Sequence, residues 1–174
     1  VRPGAEATPP ALRISRRYTG RRPVARSGYD GWHDWCLPLE SFVPDGLAQQ
    51  VPEFDANDPA SLEAIFQTYP GEVAAVILAP EMVLPHDPAV FHRLLELTRA
   101  AGALFVMDEV KTAVRIAPNS ISERVGIVPD LITISKALGN GWPVAAVLGR
   151  RAVVQDGAGV HYSPTYHGGT GAKA

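Results

Sequence analysis

Five apolar residues in a row, Ala103-Leu104-Phe105-Val106-Met107, with no glycine or proline among them, constrain this chain more than any other stretch. A run that short and unbroken is the pattern of a β-strand covered on both faces, because a half-exposed strand would alternate polar with apolar side chains. Residues 73–78 read the same way. So does the β-branched run Leu131-Ile132-Thr133-Ile134, which follows Val128-Pro129-Asp130, where Pro129 pushes Val128 toward extended geometry. Between the strands at 73–78 and 103–107 lies a helical pattern over 88–101, with Val90, Leu94, Leu97 and Thr98 near one stripe and Gly102 closing it. Strand, helix, strand in this order implies a right-handed crossover and parallel pairing. The expected fold class is α/β, a mostly parallel sheet sandwiched by helices.

The remaining elements fit around that unit. Gly4 opens a turn that leads into a helix reaching Tyr18, with Pro9 and Pro10 in its opening turns, where amides have no intrahelical partner. Gly20 supplies its exit, and residues 24–27 form a short strand. Residues 37–59 read as an irregular connection with weak strand character over 50–54. A helix begins at Ser61 and ends at Pro70-Gly71. A last strand covers 144–148, with a short helix-like stretch around Arg151. At 174 residues and 46% hydrophobic content the chain can bury one substantial core.

Two strand exits carry chemistry: Asp108 follows Met107, and Lys136 follows Ile134-Ser135. In open α/β sheets ligands collect where parallel strands end, so this acid and this amine can meet over one small molecule. A lysine there can form an imine, and an acid can hold a ring nitrogen protonated. Pyridoxal 5'-phosphate needs that division of labour. A buried salt bridge, or two unrelated surface charges, fits the same two residues. The formal net charge of −2, without a long basic run, points to neither nucleic acid nor an anionic membrane surface; the arginines from Arg13 to Arg26 read as a solvated helix face. Cys36 is alone, which excludes an internal disulfide framework and fits a cytoplasmic protein. His33 beside Asp34 lacks a second ligand cluster, so no metal is expected. His86 and His92 read as surface residues, Trp32 and Trp35 as packing residues.

The segments Val106-Met107-Asp108-Glu109-Val110, Pro129 through Pro143, and Gly4-Ala5-Glu6-Ala7-Thr8 resemble class III aminotransferases, closest to the branch of glutamate-1-semialdehyde aminomutase and its relatives. The resemblance runs through nearly the whole chain in order. It implies the large cofactor domain of a fold-type I pyridoxal-phosphate enzyme, with residues 1–174 as its central part and an N-terminal segment and a C-terminal small domain lying outside this chain. It implies Lys136 as the catalytic Schiff-base lysine and Asp108 as the partner of the pyridinium. Tyr29 and Val110 would cover the two ring faces, and the turn at Gly4 and Ala5 would hold the phosphate. Thr165 would reach the cofactor phosphate of the neighbouring subunit in a homodimer with a shared active site.

The sequence departs from the family pattern at several of these places. Ala5 stands where Ser or Thr is usual, Asp30 where His follows the tyrosine, and Ala79 where Glu precedes Pro80. Lys111 occupies a commonly neutral position near the ring hydroxyl, and Ala113-Val114 replaces Gly-Phe. The loss of the carboxylate at Ala79 is expected to bear on substrate choice, and an ammonium at Lys111 to favour the ring phenolate. The resemblance implies amino-group transfer between a small amino donor and a carbonyl acceptor. These departures favour a transaminase acting on an amino sugar or another secondary-metabolite precursor. The alternatives are a glutamate-1-semialdehyde 2,1-aminomutase and, of another class, a non-catalytic fragment of the same fold.

Overall fold

The computed structural model describes residues 4–36, 46–116 and 120–162. Its centre is one five-stranded sheet in the spatial order β1 (Val24–Ser27), β2 (Ala75–Leu78), β3 (Leu104–Asp108), β4 (Leu131–Ile134) and β5 (Ala146–Gly149). The first four strands are parallel, and β5 runs antiparallel to β4. The register pairs Val76 with Phe105 and Met107 with Ile132, so every side chain of β1, β2 and β3 is buried.

Side chains alternate across β3 and so feed two cores. Leu104 and Val106 join Ile77 and Leu131 under Ala11 and Leu12 of α1 (Thr8–Thr19) and Val153 of α5 (Arg151–Asp156). Phe105 and Met107 join Leu62 and Ile65 of α2 (Pro59–Thr68) and Phe91, Leu94 and Leu95 of α3 (Pro88–Ala100) on the opposite face. The mostly parallel sheet between helical layers is therefore as expected, with the central strands apolar throughout because both faces are covered.

Local chemistry sets where the helices start and stop. Gly20 takes a left-handed φ of 70° at the end of α1 and donates its N–H to the Arg16 carbonyl. Asp58 and Asp87 each accept a hydrogen bond from the amide two residues on, with Pro59 and Pro88 at the first helical position. That cap moves the start of α2 two residues ahead of the expected Ser61.

Three expectations need correction. On α3 the buried stripe is Phe91, Leu94, Leu95 and Thr98, with Val90 and Leu97 only partly buried, because the Phe91 and Leu95 side chains fill the layer facing α2 and the sheet. The arginines are not one solvated face: Arg26 lies on β1 with 6% of its surface exposed, donates to the Gly28 carbonyl and pairs with Glu53. Arg21 donates to the carbonyls of Val73 and Ala101. The short helix α4 (Ile121–Arg124) was not expected. Fully buried Glu109 holds it: Oε2 accepts from Thr112 Oγ1 (2.9 Å) and Ile121 N (2.7 Å), and Oε1 from Ser122 N (2.8 Å) and Ser122 Oγ (2.7 Å).

Candidate active site

All four parallel strands end at one edge of the sheet, and the residues just beyond those ends converge. Tyr29 and Asp30 follow β1, Glu81 follows β2, Val110 and Lys111 follow β3, and Ser135 and Lys136 follow β4. With Asp108 at the end of β3, the turn at Gly4 and Ala5 before α1, and Trp32 and Trp142, they line one cavity of about 410 Å³. Six residues expected from the sequence meet in it: Gly4, Ala5, Tyr29, Asp108, Val110 and Lys136. Thr165 lies outside the described residues.

Asp108 is 5% exposed. Its Oδ1 accepts from Thr133 Oγ1 at 2.7 Å and from the Val110 amide at 3.2 Å, and its Oδ2 has no hydrogen-bond partner among the described residues. Burial pushes its carboxyl up to about 6, against the two hydrogen bonds, which favour the anion. Lys136 sits at the start of a 3-10 turn with φ 44°, a left-handed conformation unusual for a side-chain-bearing residue. Its ammonium is held below the ordinary lysine range first by burial and next by the charge of Lys111, with Asp108 opposing both. Gly4 explains itself sterically: a Cβ there would stand 2.8 Å from Val110 Cγ1 and 3.9 Å from Lys136 Nζ, so a side chain would close the gap between them.

Tyr29 leaves 53% of its surface open on the cavity, whereas Val110 is 5% exposed. Lys111 Nζ lies 5.1 Å from the centre of the Tyr29 ring and forms an ion pair with Glu81. Asp30 is almost wholly buried, and neither carboxyl oxygen finds a hydrogen bond.

Several of these were missed or misread in the sequence. Trp32 is not a packing residue: it is half exposed, stacks on the His33 ring at 5.1 Å and lines the cavity, while Trp35 packs against the α1 layer. Ala79 is buried and carries no carboxylate, but Glu81 two residues on brings one into the cavity. The signal was present, since Glu81 also follows a parallel strand end. Among the described residues no group of three or more His, Cys, Asp or Glu could hold a metal ion.

Residues 33–174 match the family described as aminotransferase class-III. The chain belongs to that family. Two curated relatives show its range. The 2'-deamino-2'-hydroxyneamine transaminase of Streptomyces kanamyceticus is 38% identical over 95% of this chain and 42% of its own. The glutamate-1-semialdehyde 2,1-aminomutase of Sorangium cellulosum is 35% identical over 98% and 43%. Among solved structures, the FumI protein of Sphingopyxis sp. MTA144 in its PLP internal aldimine form is 25% identical, with a TM-score of 0.85 over 94% of this chain and 42% of that one. This class-III aminotransferase chain thus spans less than half the length of the relatives it matches. Its sheet and helices are those of the large domain of fold-type I enzymes, as the sequence implied.

Proposed function

We propose that the protein to which this chain belongs transfers amino groups with pyridoxal 5'-phosphate, between a small amino donor and a carbonyl acceptor. The observation that carries the reading is the cavity at four strand ends, in which a carboxyl oxygen without a partner and a lysine ammonium share one lining with an open tyrosine ring. The residues present suit the cofactor. Asp108 Oδ2 is free to accept a ring N–H while Oδ1 is already fixed by Thr133 and Val110, and the space beside Gly4 exists only because that residue has no side chain.

When bound, pyridoxal phosphate supplies an electron-accepting ring that stabilises negative charge beside the transferred nitrogen. Each residue then has a task. Lys136 would hold the cofactor through its amine and, when that amine is free, would move a proton at Nζ. A lysine held below its ordinary range is suited to both, because more of it is neutral at working pH. Asp108 would keep a proton on the ring nitrogen. Tyr29 and Val110 would hold the ring plane, which selects the bond that breaks. The amides of the turn at Gly4 and Ala5, ahead of α1, would receive the phosphate without a hydroxyl from Ala5.

The relatives' names support two substrate readings: an amino-sugar or other secondary-metabolite precursor for an intermolecular transaminase, and an amino aldehyde for an aminomutase. The Glu81–Lys111 pair gives the cavity fixed charge of both signs and favours the first, a polar substrate carrying amine and hydroxyl groups. The chain is read as the central part of the cofactor domain of a cytoplasmic homodimer, with Thr165 contributed to the neighbouring subunit's phosphate site. Among the described residues no helix is long and apolar enough to cross a membrane. The test is to load the purified protein with pyridoxal phosphate and record its visible absorption. A band that appears in the parent and is absent in Lys136→Ala supports the reading, and a parent with no band removes it. A screen of amino donors and carbonyl acceptors then separates the two substrate classes.

A further inference from the structure

Asp30 has no place in that account, yet it is the least compensated group in the cavity wall. Its side chain is buried, both carboxyl oxygens lack a hydrogen-bond partner, and the nearest cation, Arg26, stands 3.9 Å from Oδ2. Arg26 is already committed, donating to the Gly28 carbonyl and pairing with Glu53. The titratable groups that face Asp30 from the surrounding elements are Arg26 on β1, Cys36, Glu81 after β2, and Asp108 and Lys111 at and beyond the end of β3. Arg26 is shared between Glu53 and Asp30, Lys111 is paired with Glu81, and Lys136 shares the cavity with Asp108. A charge on Asp30 would therefore have only a shared cation, at 3.9 Å, to answer it.

Two nearby buried carboxyls with unlike surroundings divide one charge unequally. Asp108 Oδ1 accepts two hydrogen bonds, which stabilise an anion, whereas the oxygens of Asp30 accept none. We propose that Asp30 and Asp108 act as an unequal acid pair in which Asp108 carries the charge and Asp30 keeps its proton, making Asp30 a positioning residue that leaves Asp108 free to grip the cofactor ring. Burial first, and the charge of Asp108 second, hold the Asp30 carboxyl well above the usual aspartate range, which agrees with that division. The role of Asp108 in this pair rests on the cofactor reading above; the protonation of Asp30 does not.

The consequence is testable in two independent ways with Asp30→Asn, which is neutral at every pH and nearly the same shape. In the cofactor-free protein, a carboxyl whose folded value lies above its unfolded one contributes fully below about pH 4 and loses that contribution as pH rises through the folded value. Melting temperatures of parent and Asp30→Asn should therefore coincide near pH 4 and diverge toward pH 8, with the variant the more stable. In the loaded protein, Asp30→Asn should keep the cofactor dissociation constant within about threefold and leave the pH midpoint of the visible band unchanged, since no charge has been removed. A variant whose stability advantage over the parent is no larger at pH 8 than at pH 4, or one that moves the midpoint by a full pH unit, would show Asp30 to be an anion and overturn the proposal. Should the parent bind no cofactor at all, the function proposed above fails, and the melting series alone still decides the state of Asp30.

Discussion

The Glu81 carboxylate and the Lys111 ammonium, each three residues past the end of a neighbouring parallel strand, form an ion pair inside the cavity, and the ammonium also sits over the Tyr29 ring. Lys111 was expected to act on the ring hydroxyl of the cofactor. In the structure its ammonium is paired with Glu81 while its charge still reaches Lys136 across the same cavity.

Lys111→Met leaves the buried Oε2 of Glu81, already without a partner, in a carboxylate with no counter-ion. Because the pair is partly exposed, a loss of about 1–3 kcal/mol is expected, between surface and fully buried pairs. Urea melts of both single variants and of Lys111→Met with Glu81→Met measure it, and the double variant should recover part of the loss.

Asp108 titrates near 6 in the cofactor-free protein, mainly because it is buried. Its folded value exceeds that of a free aspartate, so its contribution to stability is complete below about pH 4 and is lost as pH rises through 6. Asp108→Asn should accordingly stabilise the cofactor-free protein by roughly 3 kcal/mol at pH 7.5 and by little at pH 4. If Asp108 holds the ring nitrogen as proposed, the same variant would lose that charged hydrogen bond and should weaken cofactor binding about 10- to 100-fold. Thermal melts across pH and equilibrium dialysis read the two opposite effects.

Glu109 joins the turn after β3 to α4 through three hydrogen bonds, to Ile121 N, Ser122 N and Ser122 Oγ, and accepts a fourth from Thr112 within the turn. In Glu109→Ala the amides of Ile121 and Ser122 lose their acceptor in a buried place, at about 1–3 kcal/mol each. A fall in stability of roughly 3 kcal/mol or more is expected from denaturant unfolding, with faster hydrogen exchange at Ile121 and Ser122. Unchanged exchange there would mean that the helix does not depend on Glu109.

Gly4→Ala places a methyl 2.8 Å from Val110 Cγ1. Overpacking of this kind costs about 1–3 kcal/mol. Because the clash lies in the cavity rather than in either core, it should appear as roughly tenfold weaker cofactor binding with a small change in melting temperature. Fluorescence titration with pyridoxal phosphate checks it.

Most of the fold was legible because strand burial is written in consecutive residues. The runs at 73–78 and 131–134 contain β2 and β4, and the run at 103–107 holds all of β3 but Asp108; a chain buried on both faces needs no partner to declare itself. The helices were legible through caps and periodicity, although the buried stripe of α3 was displaced toward Phe91 and Leu95, because which side faces the sheet depends on the neighbouring layer. Arg26 was misread for the same reason: an arginine looks solvated until the edge strand that carries it is seen paired with β2 on one side and bridged by Glu53 on the other.

What the sequence determined by itself is the order of strands and helices and the placing of Asp108 and Lys136 at strand exits, since both follow from local runs and from the parallel pairing that strand-helix-strand order imposes. Only the tertiary structure decided which other groups join them. Glu81 meets Lys111 across 30 positions, Glu109 reaches Ser122 across 13, and the Asp30 carboxyl oxygens are left without a hydrogen bond, because burial and pairing are properties of three-dimensional neighbours that no local pattern encodes.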